Sequence, residues 1–103
     1  MRPRNAITQR KTMQLCRQVE QTLHLVLSGE CQDEVLQSLL VVSVTPAPNA
    51  SQLLVTVRQS PSDDRVSTLE ILSRLAEVAG QLQFAVASAI TRKRAPKLLF
   101  EVL

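Results

Sequence analysis

The sequence predicts an α+β fold, a two-layer sandwich in which helices cover one face of a three-stranded mixed sheet. Three observations lead there. Helical periodicity occupies the start of the chain. Two apolar runs around a proline-rich turn then read as a hairpin. A second helical region, interrupted at Gly80, leads into a closing apolar run. The order is α-β-β-α-α-β, and the last strand can pair with the hairpin as a parallel neighbour after a right-handed crossover.

Residues 1–8 read as a flexible basic arm ahead of a single domain, residues 9–103. From about Gln9 to Ser28, Met13, Cys16, Val19, Leu23, Val26 and Leu27 fall on one stripe, the mark of an amphipathic helix. Gly29 is placed to end it in a left-handed cap. A polar connector, Glu30 to Gln37, precedes the β-branched and aliphatic run Leu39 to Val44, which reads as a strand. Pro46-Ala47-Pro48-Asn49-Ala50-Ser51 is a turn, after which Leu53, Val55 and Val57 alternate with Leu54, Thr56 and Arg58. Asp63 and Asp64 suit the start of a second helix, where a carboxylate caps free amides and favours the positive end of the dipole. That helix runs to Ala79, with Leu69, Leu72, Ala76 and Ala79 as its core stripe. After Gly80 a third helix, Gln81 to Ile90, buries Leu82, Val86 and Ala89. Pro96 cannot continue a helix and extends Ala95 before it. Leu98 to Leu103 is the third strand, with Leu98, Phe100 and Val102 toward the core.

With 103 residues, 45% of them hydrophobic, the chain can bury a core of its own. Only Phe84 and Phe100 are aromatic, so that core is aliphatic. No apolar run approaches the roughly 20 residues of a membrane span, and no secretory leader precedes the first helix. These features point to a cytoplasmic protein with reduced thiols. Cys16 and Cys31 lack a C-x-x-C spacing, and His24 alone cannot complete a four-ligand zinc site.

The net charge of +3 is unevenly distributed. Residues 1–17 carry Arg2, Arg4, Arg10, Lys11 and Arg17 with no acid. Residues 18–91 set three arginines against eight acids, a net −5. Residues 92–97 return to +4 through Arg92, Lys93, Arg94 and Lys97. If the fold brings the ends together, they form one positive patch on an acidic body, and such a patch attracts phosphate through counterion release. Arginine grips phosphate bidentately and lysine adds a point charge. Arg10 and Arg17 are one heptad apart and share a helix face. With few aromatics, contact with a folded RNA backbone is favoured over base stacking.

The closing block carries a resemblance. Glu77-Val78-Ala79-Gly80, followed at matching spacing by Arg92 to Arg94 and Pro96-Lys97-Leu98-Leu99-Phe100, resembles the ribosome-binding factor A family. The helix ending in Leu25-Val26-Leu27, the Asp33-to-Leu36 acid-x-x-Leu and the hairpin extend the likeness over about residues 9–103. The resemblance implies a KH-like fold of type II order with a Gly80-centred helix–kink–helix. An ordinary KH domain grips single strands with a G-x-x-G loop; in this family an Ala-x-Gly kink replaces it, matched here by Val78-Ala79-Gly80. Val78 stands where the family has Ala, and Gln83 where Arg is common. The hairpin turn lacks the family's usual Asp-Leu pair.

The resemblance further implies a non-catalytic, monomeric assembly factor that binds the small ribosomal subunit and its rRNA. Its role would lie in late maturation of that rRNA, including its 5′ end, and in growth in the cold. RNA-binding candidates are Arg92, Lys93, Arg94, Lys97, Arg10, Lys11, Arg17, Gly80 and Ala79. Gly80 permits a sharp bend and could also let an RNA backbone approach helix amides. No P-loop or G-x-G-x-x-G is present, Ser73 and Ser88 have no identifiable base, and no cofactor, metal or small-molecule substrate is implied. The alternative from another class is an α+β protein-interaction module without direct RNA contact.

Overall fold

In the computed structural model helix α1 runs from Pro3 to Leu25, and its inner stripe is buried from Leu15 onward. The structure describes residues 3–47, 51–60, 66–90 and 94–103, with side chains from residue 10 onward. The helix thus reaches back past Gln9 into the segment expected as an arm. Cys16, Val19, Leu23, Val26 and Leu27 are buried as the stripe predicts, but Leu15 takes the inner position expected of Met13, which is 65% exposed. Gly29 does not form a left-handed cap. Instead Val26–Glu30 is a π-helical turn closed by the Cys31 N–H donating to Val26 O at 3.0 Å. The wider turn carries Cys31 into the core, where it is 3% exposed.

The polar connector holds a short helix, α2, Glu34–Gln37. Its start is set by Asp33, whose Oδ1 accepts from the amides of Val35 (2.9 Å) and Leu36 (3.4 Å). Strands β1 (Leu39–Pro46) and β2 (Gln52–Gln59) form the expected antiparallel hairpin. A bulge between Val41 and Ser43 turns out Val42. Strand β3 (Lys97–Val102) pairs parallel to β2, so the sheet order is β1-β2-β3 with β2 central. Leu53, Val55 and Val57 of β2 are completely buried, as central alternating residues should be.

Helix α3 spans Thr68–Glu77 and starts later than expected. Its cap is Ser67, whose hydroxyl accepts from the Glu70 amide at 3.2 Å; Asp63 and Asp64 lie outside the described residues. The buried face is Ile71 and Leu75, while Leu69 is 79% exposed, Ala76 and Ala79 are exposed and Leu72 is half-buried. Apolar residues at 69, 71, 72 and 75 offer two overlapping stripes, and periodicity cannot choose between them. The stripe that wins also turns Arg74 toward Asp33. Helix α4, Ala79–Ala89, buries Leu82 and Val86. Ile90 replaces Ala89 as its last inner residue: the chain is already extended there, at φ −109° and ψ 153°.

The helix break falls at Val78, at φ −105° and ψ 10°, rather than at Gly80. Gly80 sits in the first turn of α4, and a Cβ there would meet nothing within 4 Å. The bend therefore does not require glycine. The core is aliphatic: Phe84 is 75% exposed, and Phe100 packs against the core from its edge, beside Leu98 and Val102.

Candidate nucleic-acid interface

The basic run of residues 92–97 straddles the entry to β3. Ile90 is buried at the end of α4 and Pro96 is completely buried at the start of β3. Between them stand Arg92 and Lys93, which lie outside the described residues, and Arg94, which is exposed. Gln83, on α4, donates from Nε2 to the Pro96 carbonyl at 2.7 Å and so ties the helix to the strand entrance. A guanidinium at that position would also donate, but the amide does so without a charge. Lys97, exposed, pairs with Gln52 and donates its N–H to Ser51 O at 3.0 Å. Its backbone thus belongs to the sheet at the hairpin end, while its ammonium faces water.

On α1, Arg10, Lys11 and Arg17 are all exposed. Among the described side chains of that helix the first buried one is Leu15, so Arg10 and Lys11 lie ahead of it. Further along, the helix packs against β1 and α4. Ala79 and Gly80 are exposed at the start of α4, and no charge occurs from Val78 to Ile90. None of the described cations in this set forms an ion pair with another described residue; the ion pairs found are those of Arg74.

The pairing of Arg74 with Asp33 was not expected from the sequence. The Arg74 Nη1 donates to both carboxylate oxygens of Asp33, at 3.0 and 2.9 Å, joining α3 to the start of α2. Its Nε stands 3.6 Å from Glu70 Oε2, an ion pair beyond hydrogen-bonding reach. Partial burial acts to raise the Asp33 pKa. Hydrogen bonds from Arg74 and from the Leu36 and Val35 amides outweigh it and hold the carboxyl below its ordinary value. The cap itself was readable, since an acid one residue before a helical Glu-x-Leu is a start signal. The partner 41 residues later left no local trace.

Cys16 and Cys31 are free and buried. Burial first, then nearby carboxylates (Glu20 for Cys16, Asp33 and Glu30 for Cys31), pushes both thiols up and leaves them protonated at neutral pH. His24 is exposed on α1. Among the described residues no three His, Cys, Asp or Glu side chains converge as a metal site, and no helix is long and apolar enough to cross a membrane.

Neither a family model nor a curated protein matches the chain. Among solved structures it is similar to the crystal structure of ribosome-binding factor A from Thermus thermophilus. Identity is 23%, the TM-score is 0.71, and the match covers 88% of this chain and 94% of that one. The likeness establishes the fold. The α+β architecture, its mixed three-stranded sheet and the resemblance drawn from the Glu77-to-Phe100 block are borne out at that level.

Proposed function

We propose that the chain is a non-catalytic assembly factor of the ribosome-binding factor A type, binding the small ribosomal subunit through its RNA. The observation that carries this reading is the basic run held between buried Ile90 and Pro96, on a fold shared with a protein of that name. Connectivity supports a second contribution from α1. That helix packs on β1 after the chain reverses through the π-helical turn and α2, which would carry its first half back toward the hairpin end, where Lys97 opens β3. Arg10, Lys11 and Arg17 then extend the phosphate-binding surface of Arg92, Lys93, Arg94 and Lys97.

The acidic remainder of the chain limits adhesion elsewhere on RNA. Exposed Ala79 and Gly80 allow close backbone approach at an uncharged helix start. In this reading the protein acts as a cytoplasmic monomer in late rRNA maturation, with its largest effect in the cold. Replacing Arg92, Lys93 and Arg94 together by alanine tests it. Affinity for small subunits should fall, and the slope of log K against log salt should flatten by about 0.7–0.9 for each phosphate no longer neutralised. Unchanged affinity and slope in the folded variant would overturn the reading.

A further inference from the structure

We propose that Phe84 is a stacking platform for an unpaired RNA base, set on the outer side of α4 beside the cations of residues 92–94; this deepens the RNA reading above and rests on it. The two phenylalanines are placed differently. Phe100 packs against the core, whereas Phe84 is 75% exposed. Leu82 and Val86 define the inner face of α4, so Phe84 stands at its outer pole. Its helical neighbours at i−4, i+3 and i+4 are Gly80, Ala87 and Ser88, all exposed and none larger than serine. No neighbour on its own helix is large enough to cover the ring.

Charge and connectivity select the occupant. Residues 91–95 join buried Ile90 to buried Pro96 and include Arg92, Lys93 and Arg94 with no acid. Gln83, next to Phe84 in sequence, donates to the Pro96 carbonyl at 2.7 Å, so the basic run returns to the flank of α4 that adjoins the ring. Around the helix, Gly80 and Ala87 lie between that flank and Phe84 and put nothing beyond a methyl group in the path of a chain. Helix α4 itself carries no charge. Glu77, the nearest acid in sequence, belongs to α3 and lies within electrostatic reach of Arg74. A protein hot spot sets its aromatic anchor inside a rim of side chains that exclude water, and α4 supplies no such rim around Phe84. A nucleotide satisfies both halves of the arrangement, with its base on the ring and its phosphate on the cations. Proteins that hold single strands combine the same two contacts. The base read this way is unpaired, since splayed bases are the ones free to stack on a side chain.

The test follows the ring protons of Phe84 while hexa-adenylate RNA is titrated into the full chain, with an abasic ribose-phosphate hexamer as control. With two phenylalanines in the chain, Phe84→Leu assigns the signals directly. Hexa-adenylate should move the Phe84 signals upfield, and the abasic hexamer should not. Phe84→Ala should raise Kd for hexa-adenylate about tenfold without changing the salt slope, and Phe84→Trp should restore binding. Position 84 is at the surface, so the amide spectra of both variants will show the fold retained. No upfield shift, or equal binding of the abasic hexamer, would overturn the stack. Alanine at Arg92, Lys93 and Arg94 separates the two levels of the reading. If that variant loses RNA and Phe84→Ala does not, the stack is wrong and the phosphate contact stands. If neither weakens binding to hexa-adenylate or to small subunits, both are wrong. A leucine-rich peptide that shifts the Phe84 ring as strongly as RNA would overturn the proposal in favour of a protein partner.

Discussion

The Asp33 carboxylate both starts α2 and holds Arg74 of α3, so its loss should be felt in two elements. Asp33→Ala is expected to cost about 1–2 kcal/mol in urea denaturation, whereas Asp33→Asn keeps a capping side chain and should cost less. The charge has its own signature. Because the folded carboxyl titrates below its unfolded value, its contribution is complete above about pH 4 and is lost as pH falls through the lower, folded value. Wild-type Tm should therefore drop more steeply than that of Asp33→Asn on acidification below about pH 4; parallel curves would refute the assignment. Gly80 separates stability from binding. Since it occupies ordinary helix with open space around it, Gly80→Ala should stabilise the fold by about 0.5–1 kcal/mol. If RNA approaches the backbone there, the same variant binds small subunits more weakly while melting higher.

Among the elements, the joint between α4 and β3 is tied by a side-chain amide, Gln83 to the Pro96 carbonyl. Gln83→Ala should cost about 1 kcal/mol and speed hydrogen exchange at the Lys97 and Leu98 amides, leaving β1 protected. Uniform acceleration across the sheet would show that the tie is not local. This scale also shows where the sequence was legible. The hairpin could be read because Leu53, Val55 and Val57 alternate strictly, and the last strand because Pro96 stops any helix before it. The buried face of α3 could not, because two stripes overlap and a contact with distant Asp33 accompanies the choice. The π-helical turn has no periodicity of its own, so Gly29 looked like a cap. Gly80 drew the expected kink toward itself, but the break falls at Val78, where the chain leaves helical geometry without needing a glycine.

At the scale of the whole molecule, charge is segregated along the chain: cations at the start and at residues 92–97, acids between. That segregation was fully visible in the sequence, as was the fold through the spacing of the Glu77-to-Phe100 block. The exposure of Met13 was not, because it falls on the apolar stripe of α1 and reads as core until the helix is docked. The central claim is that the cations of residues 92–97 bind the small subunit, and sucrose-gradient sedimentation of cell lysate tests it most directly. The chain should co-migrate with small subunits, be absent from whole ribosomes, and move to the top of the gradient when Arg92, Lys93, Arg94 and Lys97 are replaced by alanine. A wild-type chain found only at the top, or a folded quadruple variant still travelling with small subunits, would contradict it.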